Sequence, residues 1–123
     1  MASKPTVLIV DDEPHIRKMI HEVLSLEGYP LESASNGREA LDLLRSAGPR
    51  VILLDIRMPV LDGEGFLREL EAVPSERQKH KVILVSAFLS LPNYQHLQAE
   101  GRLSKPFTTD QLINAIEAVG APG

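Results

Sequence analysis

An α/β fold with a doubly wound parallel sheet is predicted by three features of this 123-residue chain. Short apolar, β-branched runs recur at residues 6–10, 51–54 and 82–85, each of a length and composition suited to a strand buried on both faces. Segments of helical periodicity lie between them. Polar groups stand where each run stops: Asp11-Asp12-Glu13, Asp55 and Ser86. Strands separated by helices need crossover connections, and right-handed crossovers build a parallel sheet. A weak edge strand second in sequence suits the strand order 2-1-3-4-5, five strands with five helices.

Taken in order, residues 6–10 (T-V-L-I-V) form the first strand, and Pro14 in the acidic turn fits the first turn of a helix. Ile16, Met19, Ile20, Val23 and Leu24 then give the buried stripe of that helix, and Gly28 stops it. Residues 29–35 alternate weakly and contain Pro30, which confines them to a sheet edge. Asn36-Gly37 turns the chain into a second helix carrying Ala40, Leu41, Leu44 and Ala47, which ends at Gly48-Pro49. The strand at 51–54 delivers Asp55, and Pro59 with Asp62-Gly63 forces a loop. Phe66, Leu67, Leu70 and Val73 mark a third helix that Pro74 ends, and residues 75–81 read as a polar, basic-leaning connector. After the strand at 82–85, residues 92–100 read as a short fourth helix with Ser90 as a cap and Leu97 as its main apolar contact, stopped by Gly101. A very short strand at 102–104 leads to Lys105-Pro106-Phe107. Thr108 with Gln111 fits a capping box, Phe107 with Leu112 a hydrophobic staple, and Leu112, Ile113, Ile116 and Val119 the buried face of the last helix.

Composition narrows the function classes. The length suits one domain, and no apolar run approaches the ~20 residues of a membrane span. There is no cysteine, so disulfides and thiolate metal sites are excluded. A net charge of -4 with scattered Lys and Arg argues against nucleic acid as a direct partner. The expectation is a cytoplasmic single domain. His15 and His21 are too far apart for i, i+4 ligation, and His80 and His96 have no partners legible in sequence.

The chemistry collects at the carboxyl ends of the strands, the rim where open α/β sheets bind ligands. Asp11 and Asp12 come from the first strand, Asp55 from the third, Ser86 from the fourth and Lys105 from the fifth. Adjacent carboxylates repel and raise one another's pKa unless a cation joins them. An oxygen-only set favours a hard divalent ion, and Mg²⁺ suits carboxylates that share it with water and phosphate. With that ion and Lys105 neutralising its oxygens and Ser86 donating a hydrogen bond, a phosphoryl group could be attacked by Asp55. Singly, each of these residues reads as a solvated or turn-forming group. Together and in this order they read as a site.

V-L-I-V-D-D-E, L-L-D-I-R-M-P-x-x-D-G, V-I-L-V-S-A and K-P-F, in that order, resemble the receiver domain of two-component response regulators over roughly residues 5 to 119. The resemblance implies a flavodoxin-like (CheY-like) sheet. It also implies a phosphoryl group on Asp55, received with Mg²⁺ from a phosphohistidine on a sensor histidine kinase or histidine phosphotransfer protein. Asp11, Asp12, Asp55 and the backbone carbonyl of Arg57 are its implied metal ligands, and Ser86 and Lys105 the phosphoryl-stabilising pair. A cis bond is expected at Lys105-Pro106. Phosphorylation is expected to shift the face made by the fourth helix, fifth strand and fifth helix and so change affinity for a downstream protein target. Homodimers through several faces are within the family's range. Residues 1–123 are expected to form one receiver domain that stands alone rather than as part of a longer regulator.

Departures from the family pattern concern the switch region of Ser86, Arg102, Lys105 and Pro106. Where receivers carry Tyr or Phe three residues before the lysine stands Arg102, which cannot pack as a ring does. The run from Gly101 to Lys105 is short, and Tyr94 is a candidate substitute aromatic. Arg57 and Phe88, two residues beyond Asp55 and Ser86, are expected to restrict attacking water and tune phosphoryl lifetime. Two rival readings stay open: a receiver-fold interaction module that signals without phosphorylation, and an aspartyl-nucleophile phosphohydrolase. The second wants a carboxylate where Arg57 stands.

Overall fold

The structure, a computed structural model, describes residues 4–46 and 48–123. Its five strands are β1 (Thr6–Val10), β2 (Leu31–Ala34), β3 (Arg50–Leu54), β4 (Lys81–Ser86) and β5 (Gly101–Ser104). They form one sheet in the order β2-β1-β3-β4-β5, parallel throughout, with β2 at the edge, directly after Pro30. The helices are α1 (Pro14–Leu26), α2 (Gly37–Leu43), α3 (Gly63–Glu71), α4 (Pro74–Arg77) and α5 (Thr109–Val119). None of the described helices is long and apolar enough to cross a membrane.

Strand side chains alternate between two apolar layers, which is why the runs are apolar without a break. Leu8, Val10, Ile52, Leu54, Val82 and Leu84 meet Ala40 and Leu44 from the α2 side and Phe66, Leu67 and Leu70 of α3. Val7, Ile9, Val51, Leu53, Ile83, Val85 and Leu103 meet Ile20 and Leu24 of α1 and Leu112 and Ile116 of α5. Capping fixes where the helices start. Asn36 and Asp62 accept the N–H groups of Glu39 and Gly65, and Thr108 and Gln111 complete the expected capping box. Gly28, at φ 86, follows the end of α1 in the left-handed conformation that glycine tolerates.

Several sequence expectations need correction. The fourth α-helix is not at residues 92–100. That stretch holds one 3₁₀ turn, Pro92–Tyr94, without a side-chain cap from Ser90, and the fourth α-helix is α4, inside the stretch read as a connector. Pro74 therefore starts a helix rather than ending one, since α3 already stops at Glu71. The physical reason at 92–100 is competition for carbonyls: Arg102 takes those of Tyr94, Gln95 and Leu97. The expected switching face thus consists of a 3₁₀ turn, β5 and α5. α2 ends at Leu43, short of Gly48, and Ala47 lies outside the described residues. Met19, read as part of the buried stripe, is partly exposed.

At the pole opposite the acidic turn, β3 begins one residue early with a buried arginine. Arg50 donates from Nε and Nη2 to the two carboxylate oxygens of Glu32 on β2, and from Nη1 to the Ser46 and Gly48 carbonyls. The Arg50 backbone N–H donates to His80 Nδ1 at 3.0 Å, which leaves the His80 proton on Nε2, 3.4 Å from Glu76 Oε1. Burial holds the His80 pKa below the usual histidine value, with Arg50 and Lys79 adding to the effect and Glu76 opposing it. Arg77 of α4 holds Glu100 through both carboxylate oxygens, and Glu100 accepts the Val82 N–H, closing the same pole on the β4–β5 side.

The loop after β3 is strained at one residue. Val60 has φ 69, and the Leu61 N–H donates to the Pro59 carbonyl at 2.8 Å across it, the hydrogen bond of a strained γ-turn. Its side chain is exposed and gains little from packing.

Val60→Gly should therefore raise stability by about 1 kcal/mol, or roughly 4 °C in the thermal midpoint, as read by calorimetry. An unchanged or lower midpoint would show that the turn carries no strain. A His80 pKa depressed by folding means that the unfolded chain gains the proton first as pH falls below about 6.5. Native stability in urea, measured relative to His80→Gln, should be constant above pH 7 and decline towards pH 5.5. A pH-independent difference would contradict the buried neutral histidine.

Candidate functional site

Sheet register places the polar groups side by side. Val10 is opposite Leu54, so Asp11 and Asp55 leave adjacent strands together, and the Asp55 N–H donates to the Val10 carbonyl at 2.9 Å. Ser86 is opposite Ser104, and the Lys105 N–H donates to the Ser86 carbonyl at 3.0 Å. Asp11, Asp12 and Asp55 each offer a carboxylate oxygen within 4.8 Å of the others, the one such group of three or more among the described residues. Asp11 and Asp55 are buried and Asp12 is exposed.

The two buried carboxylates are held. Lys105 Nζ lies 2.6 Å from Asp11 Oδ2 and 3.5 Å from Asp55 Oδ2. Asp11 Oδ1 accepts the Glu13 N–H, and Arg17 of α1 donates to the Asp11 carbonyl, tying the acidic turn to the first helix. Asp55 Oδ1 accepts the Ile56 N–H at 2.8 Å. Ser86 Oγ accepts the Phe88 N–H at 3.2 Å, which leaves the hydroxyl proton for another acceptor. The Lys105-Pro106 bond is cis, as the resemblance implied.

One ammonium does not balance three carboxylates. Burial pushes the Asp55 pKa up to about 6, the Asp11 charge adds to this, Lys105 and the Ile56 N–H oppose it, and Asp12 contributes a smaller rise. For Lys105 burial alone would lower the pKa, but the Asp11 hydrogen bond and the charges of Asp11, Asp55 and Glu13 outweigh it and raise the net value. Oxygen donors only, crowded and under-neutralised, fit a hard divalent cation.

Glycine explains how the loop can sit so close. A Cβ on Gly63 would lie 2.3 Å from the Asp55 carbonyl oxygen, and the Gly63 N–H donates to the Ile56 carbonyl at 2.8 Å. α3 can therefore begin directly against the end of β3 only with glycine there. The loop is also tied to α2, where the Gly37 N–H donates to the Leu61 carbonyl. Neither role of these glycines, nor that of Arg17, was read from the sequence, although the D-G pair marked the loop.

Arg57 follows on the exposed side, its guanidinium carbon 3.9 Å from the centroid of the Phe88 ring, so these two residues do meet beside the site. Arg57 Nε also donates to the Tyr94 hydroxyl at 3.2 Å. Arg102, the exposed second residue of β5, donates to the 94–97 backbone and pairs with none of the three carboxylates. Of the remaining histidines, His96 pairs with Glu64 at 3.3 Å and His15 with Glu13 at 3.2 Å.

Known proteins are similar to this chain in sequence and fold. A family model for the response regulator receiver domain matches residues 7–117. Sporulation initiation phosphotransferase F of Bacillus subtilis (strain 168) is 33% identical over 114 residues, covering 90% of this chain and 90% of that protein. Other curated relatives are longer, and this chain spans 23% and 46% of two of them. Among solved structures, chemotaxis protein CheY4 of Vibrio cholerae superposes with a TM-score of 0.86 at 32% identity, covering 95% of this chain and 99% of that one. The receiver domain of sensor histidine kinase PA1611 from Pseudomonas aeruginosa PAO1, with a magnesium ion coordinated in its active site cleft, has a TM-score of 0.83 at 25% identity, covering 97% and 100%. The chain belongs to the response regulator receiver domain family, the phosphoacceptor domains of two-component signalling, and is a signalling domain rather than a classical enzyme.

Proposed function

We propose that residues 1–123 act as one receiver unit, with its core at about 5–119, that takes a phosphoryl group onto Asp55 from a phosphohistidine of a sensor histidine kinase or histidine phosphotransfer protein in the cytoplasm. The observation that carries this reading is the buried Asp55 carboxylate, hydrogen-bonded at one oxygen by Ile56 and faced at the other by Lys105, with Asp11 and Asp12 alongside. One Asp55 oxygen attacks phosphorus as the P–N bond breaks, and the departing imidazole nitrogen keeps the bond's electron pair. Lys105 neutralises phosphoryl oxygens, and Ser86 donates its free hydroxyl proton to one of them. Asp11, Asp12, Asp55 and the Arg57 carbonyl, which receives no N–H from the described residues, would hold Mg²⁺, which would supply the remaining charge neutralisation. Phe88 and the Arg57 side chain cover the neighbouring approach, so they restrict the water that hydrolyses the acyl phosphate. The switch region of Ser86, Arg102, Lys105 and Pro106 transmits the change to the 3₁₀ turn, β5 and α5, and from there to a downstream protein.

Intact-mass analysis after incubation with Mg²⁺ and acetyl phosphate should show one phosphoryl adduct on the native chain and none on Asp55→Asn. An adduct retained by the variant would move the acceptor elsewhere. Asp12→Asn should slow the reaction and weaken Mg²⁺ binding. Electrostatics gives a second expectation. A folded-state pKa above the unfolded value means that stability associated with protonated Asp55 is present at low pH and lost as pH rises through about 6. In EDTA at pH 7.5, Asp55→Asn should therefore be more stable than the native chain: the shift corresponds to about 3 kcal/mol, which solvent screening at the open edge reduces to about 2 kcal/mol. Mg²⁺ should raise the native melting temperature and narrow that gap. A native chain indifferent to Mg²⁺ would contradict the metal site.

A further inference from the structure

Arg102, the cation in place of the expected ring, holds the connection between β4 and β5. One terminal nitrogen donates to the Tyr94 carbonyl at 3.2 Å, and the other donates to the Gln95 carbonyl at 3.4 Å and the Leu97 carbonyl at 2.8 Å. The planar fork of a guanidinium reaches carbonyls that a single ammonium does not span. The Tyr94 carbonyl also accepts the Leu97 N–H at 3.4 Å, whereas those of Gln95 and Leu97 take no other donor among the described residues, so Arg102 supplies donors that a longer helix would have taken from its own backbone.

Tyr94 faces the other way as well. Its hydroxyl accepts from Arg57 Nε at 3.2 Å, and its ring centroid is 5.9 Å from the Arg57 guanidinium carbon. The same guanidinium lies over Phe88, whose N–H donates to Ser86 Oγ. Among the described residues Arg57 makes no carboxylate pair. Its charge rests on two ring faces and one neutral hydroxyl, contacts weaker than a charge-assisted pair. Tyr94 is thus shared: Arg102 holds its backbone, and its side chain holds Arg57.

We propose that Arg102 is a positioning residue for the phosphoryl site, fixing the 94–97 backbone so that Tyr94 seats Arg57 over Phe88 beside Asp55. The inference rests on Asp55 being the phosphoacceptor. A phosphoryl dianion on Asp55 competes with the Tyr94 hydroxyl for the guanidinium, because arginine binds phosphate through strong paired hydrogen bonds. Coupling is reciprocal: a phosphoryl group that draws Arg57 away loosens the 94–97 segment, and a partner that moves this segment changes how Arg57 covers the acyl phosphate.

The test follows decay of the acyl phosphate on the full chain after removal of acetyl phosphate, in Mg²⁺, for the native protein, Tyr94→Phe, Arg102→Ala and Arg102→Lys. Each is repeated in an Arg57→Ala background. Tyr94→Phe keeps the ring and deletes only the hydroxyl contact, so it guards against a general loss of folding in Arg102→Ala. Both variants should shift the decay rate in the same direction by at least about twofold, Arg102→Lys should not restore the native rate, and the shifts should vanish without the Arg57 side chain. In the unphosphorylated chain, the Arg57 Nε–H resonance should be protected from solvent exchange in the native protein and lose that protection in both variants. A native decay rate in Arg102→Ala, or a shift that persists in the Arg57→Ala background, overturns the proposal alone. A native chain that takes no adduct on Asp55 overturns the phosphoacceptor reading and this proposal with it.

Discussion

Charge crowding at one edge of the sheet is the constraint on which the rest of this structure depends. Asp11, Asp12 and Asp55 approach within 4.8 Å of one another, and among the described residues Lys105 is the one ammonium placed among them. Left to local forces the carboxylates would separate. They stay because each sits on the end of a strand whose position is set by burial on both faces, in layers that run from Ala34 to Leu103. The site is therefore a stored electrostatic imbalance, and a divalent cation or a phosphoryl group with its counter-charges acts on it directly.

Backbone geometry holds that imbalance in place. α3 starts against the Asp55 carbonyl because Gly63 has no Cβ, and the Gly37 N–H pins the same loop through Leu61. The left-handed Val60 immediately precedes the Leu61 anchor, three residues before Gly63, so the strain of the loop is absorbed away from Asp55. Across the site, the 94–97 segment has no regular helix and is held by Arg102 from outside. One wall of the site is thus rigid and glycine-packed, and the other is fastened by side chains. A segment fastened by a few replaceable hydrogen bonds is the kind that changes conformation at low free-energy cost.

The sheet and the gathering of polar groups at its carboxyl edge were legible in sequence because burial and chain order write them plainly. Continuous apolar strands, Pro30 at the edge and polar residues at four strand ends led to the observed order and to Asp11, Asp12, Asp55, Ser86 and Lys105. The Thr108–Gln111 cap was legible for the same reason, since it is a local interaction. What failed depends on contacts distant in sequence. The stretch at 92–100 has the pattern of a helix, but Arg102 competes for its carbonyls, and no periodicity argument contains that competitor. His80 has no partner legible in sequence, yet it is buried and accepts the backbone N–H of the buried Arg50, 30 positions away. Helix α4 is four residues long, too short for any periodic signal.

The most direct measurement is a crystal structure of the chain with Mg²⁺ and beryllofluoride, a phosphoryl mimic. The account predicts the ion bound jointly by Asp11, Asp12 and Asp55, and the mimic bonded to an Asp55 oxygen with Ser86 Oγ and Lys105 Nζ on its fluorines. An ion or mimic found elsewhere, with Lys105 still on Asp11 and Asp55 bare, would contradict it.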